Sequence, residues 1–460
     1  MIDLNSSGAS APSDFVQIGD IAYFVADDGV HGRELWKTDG TASGTTLVKD
    51  IRSGSDASTP QALTNVNGTL FFAADDGSSG DELWKSDGTE GGTVLVKDIY
   101  AGEQLDSSSV SVPSASSPRE LAEFNGNLYF AATDQNGKEL WKSDGTAEGT
   151  VLVKDIFTGT KLDATSGDYV PNSSSPHQLT EANGWLFFAA EDADHGIELW
   201  KTDGGLAGTV LVQDIFAGTD SSQSSQPPHS SSPSQLTNVN GKLLFVAQDA
   251  AHGTELWASD GTTAGTVLVQ DIYAGSSTDS TSGTVANSSS PQSLTAVGGK
   301  LFFVADDGTH GQELWKSDGT SVGTLLVKDI ESGSAGTLAK YAGFTDVNGI
   351  LFFSATDGVY GRELWKSDGT ETGTVLVKDI HPDTDSYYGT LNNSWPFYMQ
   401  TVQGTRGRCI SLPIPTATVP GHVHPPRGAF VRHGDDPAGL ARQLCRDRAD
   451  RTHRQRQGLW

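Results

Sequence analysis

The sequence predicts an all-β fold, a β-propeller of four-stranded blades, on three observations. A phrase of Glu-Leu-Trp, an Asp-Gly-Thr turn and a Val-Leu-Val-Lys/Gln-Asp-Ile run recurs seven times. Its anchors Trp36, Trp84, Trp141, Trp200, Trp257, Trp315 and Trp365 are spaced by 48, 57, 59, 57, 58 and 50 residues, a period of propellers, solenoids and arrays. Short apolar runs alternate with turn residues and show no helical period. Two runs in each unit are apolar at successive positions, so both faces need cover, which blades packed between neighbours supply. A β-solenoid is the alternative, and it fits less well because its rungs are shorter than this unit of sequential hairpins.

The fifth unit shows each element in order. Ser234 to Val239 is a short first strand, and Asn240-Gly241 is a hairpin turn whose residues tolerate positive φ. Lys242 to Ala247 is the second strand, Gln248 to Gly253 a loop, and Thr254 to Ala258 the third strand. Asp260 to Thr266 is a tight turn, and Val267 to Ile272 the fourth strand. Ser-rich connectors of variable length, such as Ser107 to Ser117 and Ser221 to Ser232, then read as mobile surface loops open to partners.

Residues 1–405 read as one repeat body. Asp3-Leu4 aligns with the Asp-Ile closing each repeat, so the chain opens on the last strand of a unit, through a late start or a ring closed by the other terminus. After Ile380 an eighth unit begins, with Asn393-Ser394-Trp395-Pro396 as its lead-in, and the pattern breaks after Thr405. Residues 406–460 form an Arg/Pro-rich tail. A shifted reading from Gly407 restores a Leu-Tyr-Phe-Ala-Ala-like strand, so the tail is expected to be out of frame and disordered. Seven blades, eight blades, or a fragment of a larger assembly stay open, as does the oligomeric state.

The formal charge is −28. The tail holds ten Arg and four Asp, leaving 20 basic and 54 acidic residues in the body. Such a surface repels nucleic acid and anionic membranes. Both cysteines, Cys409 and Cys445, lie in the tail, so the body uses neither disulfides nor thiolate metal sites. No apolar run reaches the ~20 residues of a membrane helix, and the N-terminus lacks the basic start and apolar stretch of a signal peptide.

The repeated carboxylates fall into two sets. Asp39, Asp87, Asp144, Asp203, Asp260, Asp318 and Asp368 sit in the turn after Trp, where Asp bonds nearby backbone N–H groups and Gly takes the awkward dihedral. They are read as structural, and the Trp anchors as blade-packing core. The Lys-Asp pairs that close the fourth strands, Lys49-Asp50 among them, are expected as a solvated edge ladder. The loop before Glu-Leu-Trp carries Asp28, Asp76, Asp134, Asp192, Asp249, Asp307 and Asp357, with His31, His195, His252 and His310 before its Gly. These are the candidate ligand-binding residues. They could take Ca²⁺ through oxygens or a polar glycan, although no calcium consensus occurs. No other cofactor is implied.

The motif Glu-Leu-Trp-x-x-Asp-Gly-Thr-x-x-Gly-Thr, read at Glu82 to Thr93 and six other places, resembles the bacterial ELWxxDGT repeat proteins, a hyalin-like repeat family. Departures are small: Gly205 replaces one Thr and Ala258 one Lys. The resemblance implies a secreted or cell-surface protein and no known reaction. The turn is also similar to the Asp-box of sialidase-type propellers.

No nucleophile elbow, phosphate loop or HExxH occurs. The expected function is therefore an extracellular or cell-surface binding or structural module, in adhesion or matrix association with a glycan or surface protein, without catalysis. The alternative is a propeller enzyme acting on glycans, of lyase or glycosidase type. An enzyme would break its own symmetry at one place, and the body holds only Arg33, Arg52, Arg119 and Arg362.

Overall fold

A computed structural model describes residues 4–105, 110–163, 167–220, 226–279, 283–333, 336, 343–380, 400–404 and 407–411. The fold is all-β and of the propeller class: seven four-stranded antiparallel blades, each with its strands in sequence order, and no helix among the described residues. Two compact units divide the chain, residues 1–236 with 247–249 and 260–266, and residues 237–246, 250–259 and 267–460. The Asn393 to Pro396 lead-in and residues 412–460 lie outside the described residues. At the expected break, residues 400–404 pair antiparallel with residues 407–411.

Blade 2 shows how the repeat folds. Its strands are Gln61–Val66, Thr69–Asp75, Asp81–Ser86 and Val94–Lys97. In the second strand Leu70, Phe71, Phe72, Ala73 and Ala74 are all buried, because each face meets a neighbouring blade. Leu70, Phe72 and Ala74 pack on Tyr23, Leu35 and Val48 of blade 1. Phe71 packs with Leu128, Phe130 and Ala132 of blade 3. Within the second unit the same interleaving joins blade 6 to blade 7, where Phe302 and Val304 meet Leu351 and Phe353. Each large side chain buried this way contributes roughly 1.5–3 kcal/mol.

The Trp anchors belong to these seams: Trp84 packs on blade 1 and Trp141 on blade 2. A bulge in the fourth strand seats the seam further. Leu83 faces Lys97 while Trp84 faces Leu95, leaving Val96 as the extra residue, and it is buried.

Three sequence expectations change. The fourth strand is an outer edge and not covered on both faces: Val151, Val210, Val267 and Leu325 are exposed. The Lys ladder is half-buried except at Lys378, which is exposed. Lys49, Lys97 and Lys154 each donate Nζ to a carbonyl of the following blade, on Thr93, Thr150 and Thr209, at 2.7–2.8 Å. Each also lies 5.4–5.8 Å from that blade's Trp ring. The long connectors contain paired segments, Glu103–Leu105 with Ser111–Pro113, Thr160–Leu162 with Tyr169–Pro171, and Ser276–Asp279 with Gly283–Ala286. Ser-rich composition concealed them because the apolar alternation of a core strand is missing.

Candidate functional site

The loop before Glu-Leu-Trp is built around its own Asp. Asp28 Oδ1 accepts the N–H groups of Val30 and His31, and Oδ2 meets His31 Nδ1 at 2.7 Å. Asp192 with His195 and Asp307 with His310 repeat the pairing at 2.9 and 2.8 Å. Each bond to Asp raises its His above the ordinary imidazole range. Where His is absent, Asp76 caps Ser78 and Ser79, Asp134 holds Asn136 through backbone and side chain, and Asp357 caps Val359 and Tyr360. Asp249 and His252 of the fifth copy also have partners. Among the described residues no three His, Cys, Asp or Glu side chains converge in a way that could hold a metal ion.

The turn carboxylates cap their own loops. Asp87 Oδ1 accepts the Thr89 N–H and hydroxyl at 2.8 and 2.7 Å, and Asp39, Asp144, Asp260, Asp318 and Asp368 repeat this with Thr41, Thr146, Thr262, Thr320 and Thr370. Asp203 holds Gly205 N–H alone. A Cβ on Gly92 would collide with the Asp87 carboxylate, so Gly is required there.

The Glu of Glu-Leu-Trp was not among the sequence candidates. Glu34, Glu82, Glu139, Glu198, Glu255, Glu313 and Glu363 are fully buried. Five of them grip the next connector: Glu34 takes Ser58, Glu82 Ser116, Glu139 Ser174, Glu198 Ser231 and Glu255 Ser289. The same carboxylates accept the N–H of the Ile ending their own blade, as Glu82 does from Ile99 at 3.0 Å. Burial outweighs these donors and raises Glu82 and Glu198 to about 7.

Symmetry breaks in blade 2. Asp75 and Asp81 face each other across the second and third strands. The equivalent pairs elsewhere are Asp27 with Arg33, Thr133 with Lys138, Glu191 with Ile197, Asp306 with Gln312 and Thr356 with Arg362. Directly opposed like charges are destabilising, and two Arg offset them here, Arg52 from the connector before blade 2 and Arg119 from the start of the first strand of blade 3. Arg52 donates to Asp75 at 2.5 Å and Arg119 to Asp81 at 3.0 Å. Gly77 N–H holds the other Asp75 oxygen at 2.7 Å, while the enclosed Asp81 Oδ1 has no donor. Burial raises Asp81, against Arg119, and the Asp75 charge adds to the rise.

A cavity of about 290 Å³ opens on this group, lined by Arg52, Asp75 and Asp81 with Val112, Pro113 and Ala115. Gly80 stands where a Cβ would strike the Ser114 carbonyl, which lets the connector close over the loop. The signal for this site was present in the sequence: two of the four body arginines lie one residue after the Ile of one repeat and at the start of the next but one, around the only repeat with acidic residues at both facing positions.

No family model matches the chain, and no curated protein does. Solved structures similar to it include a puromycin hydrolase (14% identity over 89% of this chain and 58% of that one, TM-score 0.38). Others are a prolyl endopeptidase (11%, 87% and 54%, TM-score 0.41) and the Pyrococcus horikoshii acylaminoacyl peptidase (12%, 82% and 53%, TM-score 0.35). The chain thus spans a little over half the length of these proteins. All three are enzymes, and the expectation of a binding or structural module without catalysis is withdrawn. At TM-scores this low they transfer no activity, substrate or residue role to this chain. No helix among the described residues is long and apolar enough to cross a membrane.

Proposed function

We propose that the chain is a propeller enzyme acting on glycans, of glycosidase type, with Asp81 and Asp75 as its paired carboxylates. One observation carries the reading: a single blade of the repeat places two carboxylates opposite each other on a cavity, each held by an Arg from outside that blade. Cleavage of a glycosidic bond uses two carboxyl groups whose environments differ. Asp81, raised by burial, is the general acid that protonates the leaving oxygen. Asp75, oriented by Arg52 and Gly77, is the opposing carboxylate.

Cross-strand neighbours hold their Cβ atoms about 4.5–5.5 Å apart. Double displacement uses carboxyl groups that stand close, ~5–5.5 Å apart, whereas direct attack by water needs a wider gap, and Asp75 and Asp81 are directly paired neighbours. In this scheme Asp75 bonds the anomeric carbon as the glycosidic C–O bond breaks and the Asp81 proton passes to the leaving oxygen. A water that gives its proton to Asp81 then displaces Asp75. The net change is hydrolysis of one bond by one water.

The test is reducing-end release from neutral, amino and acidic polysaccharides by the purified protein. Release with retained anomeric configuration supports the scheme, and no release from any of them contradicts it.

A further inference from the structure

We propose that the blade 2 cavity takes a single terminal sugar unit that bears no acidic group, so that the enzyme acts from chain ends; this rests on the glycosidase reading above. Three observations point the same way. The first is size. The cavity holds about 290 Å³. It lies at the lower limit of ligand clefts, which run from about 300 Å³ upward. A space of this size suits a ligand as small as one sugar unit.

The second is the mixed lining. Val112, Pro113 and Ala115 come from the connector after blade 2, with Val112 and Pro113 in its paired segment, and they form an apolar wall. Arg52, Asp75 and Asp81 supply charged groups to the same lining. A pyranose is matched to this, since its C–H face is apolar and its rim carries donors and acceptors.

The third is charge. Arg52 is taken up by two carboxylates, Asp75 at 2.5 Å and Asp56 at 3.8 Å, Arg119 is hydrogen-bonded to the Asp81 carboxyl, and Asp76 adds a further carboxylate on the same loop. A uronic acid would meet net negative charge, whereas neutral and amino sugars would not.

The experiment offers chromogenic monoglycosides of neutral, amino and uronic sugars to the full chain, and reads the products from matched oligosaccharides by chromatography. The expected result is release of single units from neutral or amino substrates, at least about tenfold faster than from the uronide. Val112→Trp, which fills the apolar wall, is expected to abolish release while the melting temperature is kept. A ladder of internal fragments, or a uronide cleaved as well as the neutral sugar, overturns the inference and leaves the glycosidase reading standing. If no substrate turns over, binding of the free monosaccharides to the Asp81→Asn protein is followed by NMR. Neutral-sugar binding lost in Val112→Trp would then retain the site and reject the chemistry, and no binding would reject both.

Discussion

Ser116, in the connector after blade 2, closes onto Glu82, 34 residues earlier, with its N–H on Oε1 at 2.8 Å and its hydroxyl on Oε2 at 2.5 Å. Both residues are fully buried. The Ser116 carbonyl accepts the N–H of Thr133 in blade 3, so one Ser-Glu contact ties two blades and the chain between them. Ser116→Ala removes a hydroxyl from a buried carboxylate. The expected cost is about 1–3 kcal/mol in denaturant unfolding, and Glu82→Ala should cost more because three donors lose their acceptor.

The same carboxylates make stability depend on pH. Glu82 and Glu198 rise from 4.5 to about 7 in the folded chain. A raised folded value stabilises fully below the unfolded value, and the contribution is lost as pH climbs through the folded one. Melting temperature should therefore fall between about pH 4.5 and pH 7 and level off above. Each site contributes on the order of 3 kcal/mol at the acid end. The double variant Glu82→Gln with Glu198→Gln should flatten that slope, and an unchanged slope would assign it to other groups.

The blade, its four strands and its hairpin turns were legible because they obey local rules. Asn-Gly marks Asn67-Gly68 and Asn240-Gly241, both with positive φ. The unbroken apolar second strand announced cover on both faces. The Ser-Glu lock was not legible, because Glu two residues before Trp reads as a polar residue on a mixed face until the connector Ser is seen to fold back. The blade 2 site was hidden differently: Asp75, Asp81, Arg52 and Arg119 are ordinary surface residues one by one. Their meaning comes from the cross-strand register and from a connector and a neighbouring strand that meet at one hairpin.

Lys97 links neighbouring blades without any carboxylate. Its Nζ donates to the Thr150 carbonyl at 2.7 Å and lies 5.8 Å from the Trp141 ring. Lys97→Met keeps the apolar stem and removes both interactions. A loss of roughly 1–2 kcal/mol in unfolding free energy is expected. Little dependence of that loss on salt would separate it from a surface ion pair.

The loop imidazoles should titrate high. His31 and His310 are raised by the hydrogen bonds they donate to Asp28 and Asp307. NMR titration should place both above ~6.5, the ordinary imidazole value. Asp28→Asn should return His31 toward that value and leave His310 unmoved, and a His31 that does not respond would contradict the pairing.

The central claim is that Asp81 supplies the proton at a glycosidic bond. It is tested most directly by comparing sugar release by the wild-type chain with release by Asp81→Asn at matched folded stability. The expected loss is about 10²–10⁴-fold, the share of a general acid. Equal rates in the two proteins would contradict the account.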